Sequence, residues 1–191
     1  MGGAESTQLE ELLDAMKRGG EVLRHAGVPF ALAGGMAVYA RGGSYTDHDV
    51  DFLIREQDVQ RALEAFADAG FRVERPPLDW LVKAYHGDVL IDLIFRPVDR
   101  PVTDEALAES DLISVDAAKV PVVSATQLLV HNLLTLTTHE CDMTQVLSLV
   151  RSLREQIDFD RVRAETKESP YARAFLILAE DLNLLPTTRP Q

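Results

Sequence analysis

The chain is poor in cysteine, aromatic residues, positive charge and long apolar runs. Its single cysteine, Cys141, excludes an internal disulfide. No Cys/His cluster has zinc-site spacing either, so the thiol content suits a reducing cytoplasm. No run approaches the roughly 18 apolar residues of a membrane-spanning helix. The opening MGGAESTQLEELLDAMKRGG lacks the apolar core of a signal peptide. Cytoplasmic localisation without membrane association is therefore the expectation. Lysine and arginine number 19 against 31 aspartates and glutamates, a formal net charge of −12. Binding a nucleic-acid backbone usually needs clustered cations, so this balance works against any broad phosphate-binding face. A narrow basic groove is compatible with it, as is a basic partner.

What is present describes a globular chain. Its 191 residues, 46% hydrophobic and 26% charged, suffice for one domain or for a core with a helical extension. No repeat or low-complexity tract interrupts them. Apolar residues from Leu9 to Ala26 recur at near-helical spacing, which predicts a helix over 7–26, interrupted or ended near Gly19-Gly20. A buried strand over 28–33 (VPFALA) is followed by Gly34-Gly35 and a short helix from Met36 to Ala40. Next come a strand over 49–54, a helix over 57–69 closed by Gly70, and a strand over 71–74. Strands over 80–85 and 89–95 form a hairpin at His86-Gly87-Asp88, and 96–102 reads as a loop. Extended pieces at 112–115 and 120–123 precede a helical region opened by Ser124 and Gln127, at capping-box spacing. Further helices are expected over 143–153 and from Ser169-Pro170 to Leu185. The expected fold is thus α/β over 1–123, a mixed sheet flanked by helices, with an all-helical C-terminal extension over 124–191.

Three acidic positions stand out. Alternate residues of a strand share a face, so Asp49 and Asp51 point one way, about 6–7 Å apart at the backbone, while Val50 and Phe52 point into the core. Like charges at that range repel by a few kcal/mol, on the order expected at an effective dielectric near 20. A divalent cation removes that repulsion, and Mg²⁺ favours oxygen ligands with room left for water and phosphate. A solvated strand edge is the plainer reading of such a pair, and Asp47 with Asp49 is a rival pair. Asp92, inside VLIDLIF, is a carboxylate in an otherwise apolar strand and needs a partner. An arginine would serve, and so would a metal shared with the neighbouring strand. The turn at Gly34-Gly35 exposes backbone N–H groups without a Cβ in the way, which suits a phosphate, though a plain turn has the same sequence.

Together, Gly34-Gly35, Asp49-Val50-Asp51 and the later Asp92 resemble the nucleotidyltransferase superfamily to which DNA polymerase beta belongs. The pattern spans residues 30–95. Within that superfamily the small size and helical tail look most like stand-alone bacterial enzymes related to the AbiEii and MenT toxins. The resemblance implies two Mg²⁺ ions, with Mn²⁺ as an alternative, held by Asp49, Asp51 and Asp92. It implies transfer of a nucleoside monophosphate from an NTP to a hydroxyl, with the 3′ end of tRNA as acceptor and a cognate antitoxin as partner. Asp92 would help deprotonate the acceptor. Gly34, Gly35, Ser44, Thr46, Arg41 and Lys83 are the nucleotide-binding candidates, with Arg96 as a further cation. One departure is visible. Relatives often carry a lysine on the first helix of the C-terminal part, where LLVHNLL offers His131 and Asn132. Asn132 cannot carry that charge, and His131 carries it only when protonated. Transfer to a small molecule or a protein, and a non-catalytic nucleotide-binding module, are the alternatives.

Overall fold

The computed structural model describes residues 2–44 and 49–185. A seven-stranded mixed sheet organises them. Its strands are β1 (Phe30–Ala33), β2 (Asp49–Ile54), β3 (Arg72–Glu74), β4 (Leu81–His86), β5 (Val89–Ile94), β6 (Asp111–Val115) and β7 (Ala118–Val122). They lie in the order β3-β4-β5-β2-β1-β7-β6. β2 runs parallel to β5 and antiparallel to β1, and β7 joins β1 in parallel, so the central strands come from well-separated parts of the chain.

Local chemistry explains most boundaries. All four residues of β1 are buried, as an uninterrupted apolar run requires of a central strand. Helix α3 (Val59–Asp68) ends where Gly70 takes φ +84° and the Phe71 N–H returns to the Phe66 carbonyl. That left-handed position favours glycine. Gly87 turns the β4–β5 hairpin at φ +58°. Serine oxygens cap two later helices. Ser124 accepts from the Gln127 N–H at the start of α5 (Ala125–Thr135), and Ser169 from the Ala172 N–H at the start of α8 (Pro170–Asp181).

Helix α1 (Gly2–His25) departs from expectation, because it runs straight through Gly19-Gly20. A Cβ at Gly19 would stand 3.0 Å from the Phe52 ring and 3.3 Å from Ile91 Cδ1. The glycine therefore lets the helix lie close on β2 and β5 and does not break it. Phe52, fully buried, also meets Phe30 edge-on at 5.4 Å. Since side chains alternate, α1 covers the Phe52 face and leaves the Asp51 face to α2 (Gly34–Ala40) and the C-terminal helices. Three further corrections are small. β1 starts at Phe30, two residues later than expected. Helix α4 (Asp104–Ala108) follows the expected 96–102 loop, with Thr103 as its cap. Helix α7 (Phe159–Thr166) was not expected, since its sequence FDRVRAET is mostly polar and buries only Phe159, Val162 and Thr166. Helix α6 (Thr144–Leu153) falls within a residue of the expected span.

Replacing Gly19 by leucine should force α1 off the sheet. Urea unfolding is expected to show a loss of about 1–3 kcal/mol, the usual cost of overpacking a core, and unchanged stability would mean that the helix does not need this contact.

Candidate active site

The parallel register of β2 and β5 sets Asp51 directly beside Asp92 and Asp49 beside Leu90. Carboxylate oxygens of Asp49, Asp51 and Asp92 consequently lie within 4.8 Å of one another. Sheet geometry alone brings together side chains some forty positions apart in sequence. Asp49 and Asp51 are half-buried, whereas Asp92 is 8% exposed. Burial pushes the Asp92 carboxyl above its usual range, and the Lys83 ammonium beside it works in the opposite direction. Lys83 stands across the β4–β5 ladder from Asp92 and pairs with it at 3.2 Å.

The glycine turn serves this cluster in a way that its sequence does not show. Gly34 has φ +57°, and a Cβ there would lie 1.8 Å from Asp51 Oδ2 and 2.8 Å from Cγ. β1 pairs with β2 so that Ala33 faces Asp51, which carries the turn into contact with the carboxylate. Only glycine satisfies both the backbone angle and that close approach. Three convergent, partly desolvated carboxylates form a hard oxygen donor set, and such a set fits a divalent cation like Mg²⁺.

Beside the carboxylates, Gly34, Gly35, Val38, Ser44 and Asn132 line a narrow cleft of about 60 Å³ with Gln145, Ser148 and Leu149 of α6. Gly34, Gly35 and Ser44 thus lie together, and Thr46 and Asp47 lie outside the described residues. Gln145 and Ser148 escape sequence reasoning because they read as the polar face of an amphipathic helix. Arg41 is placed differently. Its guanidinium, 6% exposed, gives hydrogen bonds to the Val123 carbonyl at 2.6 Å and the Val122 carbonyl at 3.1 Å, and pairs with Asp111 at 2.7 Å. It braces the end of α2 against β6 and β7. Arg96 pairs with Glu56 and Asp79. Asn132 donates to the Leu128 carbonyl within its own helix, while His131 lines a separate cavity with Arg100, Arg161 and Glu165. Burial, reinforced by Arg100, lowers the His131 pKa to about 4, so the ring is neutral at neutral pH.

Over residues 8–184 the chain matches the family model described as "Uncharacterised nucleotidyltransferase", and it belongs to that family. No curated protein sequence matches it. Among solved structures it is similar to ANT(2″)-Ia in complex with adenylyl-2″-tobramycin, at 17% identity and a TM-score of 0.58, over 90% of this chain and 99% of that one. It is also similar to an antigenic nucleotidyltransferase-like protein from Paracoccidioides brasiliensis, at 15% identity and a TM-score of 0.53, over 86% and 91% of the two chains. At such identities the likeness is one of fold. The family and the fold together define an enzyme of nucleotidyl transfer. The expected kinship with AbiEii and MenT toxins is not among these matches.

Two outcomes follow from the geometry. Gly34→Ala should cost about 1–3 kcal/mol of stability through strain at a positive φ and displacement of Asp51. It should also weaken Mn²⁺ binding followed by calorimetry, and a variant binding Mn²⁺ like the parent would contradict the close approach. For His131, a folded pKa below the unfolded 6.5 means that the unfolded chain binds more protons at intermediate pH. The stabilisation is complete above pH 6.5 and is lost as pH falls towards about 4, by on the order of 3 kcal/mol. His131→Phe should flatten that part of the stability curve, and an unchanged curve would assign acid lability elsewhere.

Proposed function

We propose that the protein transfers a nucleoside monophosphate from an NTP to the hydroxyl of a small-molecule acceptor, with Asp49, Asp51 and Asp92 as the catalytic and metal-binding residues. The convergence of the three carboxylates within 4.8 Å carries this reading. Mg²⁺ bound there, as two ions or with Mn²⁺ in its place, would polarise phosphoryl oxygens and offset negative charge as the bond to the leaving pyrophosphate breaks.

The chain's own residues divide the remaining work. Asp49 and Asp51, fixed by the buried Val50 and Phe52 between and beyond them, present their carboxylates from a strand that cannot shift register without exposing its core face. Asp92, set directly beside Asp51 by the strand register, is placed to accept the acceptor's proton at a carboxylate oxygen. Lys83 holds that carboxylate in place. Gly34 and Gly35 leave the cleft open for phosphate, with Ser44 at its side. The cleft is large enough for one phosphoryl-sized group, so the nucleoside would lie outside it.

The net charge of −12 favours a neutral or cationic acceptor over a polyanion such as tRNA. The molecule in the ANT(2″)-Ia complex, adenylyl-2″-tobramycin, is likewise small. Incubation with each α-labelled NTP and Mg²⁺ on separate RNA, protein and metabolite pools tests the reading. Label should enter the small-molecule fraction, whereas labelled RNA would restore the tRNA acceptor and, with it, the case for an antitoxin. Asp49→Ala or Asp51→Ala should reduce transfer to background while circular dichroism stays native. Full activity in either variant would remove the assignment, and nucleotide binding without turnover in the parent would make the protein a binding module.

A further inference from the structure

A sizeable cavity among the described residues lies away from the carboxylates. It is about 830 Å³ in volume, within the size range of small-molecule sites. Phe30 and Val120 of the sheet contribute to its lining, Gly20 and Arg24 of α1 form one side, and Leu107 of α4 another. Phe30 meets Phe52, and Phe52 points to the face opposite Asp51. Val120 shares that face, whereas Leu112 and Lys119 alternate to the other, so the cavity lies where the start of β1 meets β7, between α1 and α4. Leu112, at its edge, is 66% exposed.

Its charge runs against that of the whole chain. Three cations, Lys17, Arg24 and Lys119, border the cavity against one carboxylate, Asp104, which is itself paired with Arg55 at 2.6 Å. Lys17 pairs with Asp116 at 2.8 Å, and Arg24 donates to the Lys119 carbonyl at 3.0 Å. The Lys119 ammonium makes no ion pair among the described residues. In a protein of net charge −12, an apolar cavity with a cationic border is locally inverted. An apolar lining without carboxylates to spare disfavours an organic cation, and unpaired positive charge at the border favours an anion.

We infer that this cavity binds a small organic anion with an apolar body, such as a medium-chain or aromatic carboxylate, at a site separate from nucleotidyl transfer. The apolar body lies along Phe30, Val120 and Leu107 between α1 and α4, and the carboxylate meets Lys119 at the border with Arg24 close by. The volume suits a compact ligand.

The test uses the full chain and anilinonaphthalene sulfonate, a fluorescent apolar anion, as probe. Saturable fluorescence enhancement is expected, with displacement by decanoate and none by decyltrimethylammonium. Lys119→Glu should weaken probe binding roughly tenfold, the scale of one lost charge-assisted contact, and Leu112→Asp should weaken it too, both with unchanged circular dichroism. Equal displacement by the cation would overturn the inference, as would unaltered affinity in Lys119→Glu. A protein that sediments as a dimer and dissociates on probe binding would make this face a contact between two copies and also refute it. Because the parent's displacement pattern alone decides between anion and cation, a variant that failed to fold would not protect the proposal.

Discussion

Three negative charges held within 4.8 Å of one another are the constraint on which the site depends. Carboxylates left to themselves would separate, since each gains by moving into water and away from its neighbours. They cannot do so here because their backbones are locked in a parallel ladder. The residues between them, Val50 and Ile91, are fully buried, so separating the charges means exposing the centre of the core. The hydrophobic effect thus supplies the force that opposes the electrostatic strain. Lys83 offsets one of the three charges, at the most buried of them, where desolvation costs most.

The glycine turn belongs to the same argument. A phosphate-binding role for Gly34-Gly35 rests on the absence of a side chain, but the structure gives Gly34 a prior reason to be glycine. Its Cα backs directly onto Asp51, so the proposed phosphate site and the carboxylate cluster share one atom's worth of space. A change at this turn is then felt by both, and neither can be altered alone. Arg41 adds to this by tying the far end of α2 to β6 and β7, which keeps the short helix from swinging away from the cleft.

Much of this was legible in the chain. The strand carrying Asp49 and Asp51 announces itself through Val50 and Phe52, and Asp92 through its apolar setting, because both signals are local. The Gly70 and Gly87 turns and the serine caps were equally plain. Gly19-Gly20 misled, since a glycine pair reads as a helix break when its neighbours are unknown, and only Phe52, distant in sequence, shows why the helix tolerates it. Helix α7 was hidden by its polarity: a helix that buries a few residues against other helices carries little periodic signal. Arg41 reads as a nucleotide-binding candidate in the sequence because its partners, two backbone carbonyls and Asp111, come from a strand pair far along the chain. The participation of Gln145 and Ser148 in the cleft depends on how α6 docks, which no spacing within α6 reveals.

The missing lysine on α5 takes on a physical meaning in this setting. Of the two residues that stand in its place, His131 faces a different cavity and is held neutral, so it does not inherit the charge. Asn132 does line the cleft, but its amide is turned to the Leu128 carbonyl. The cation that does stand at this site is Lys83, on the sheet and not on the helix, and it touches a carboxylate. Positive charge placed there steadies the acidic cluster first. On the proposed function it would reach a nucleotide phosphate once a divalent ion takes over the Asp92 carboxylate.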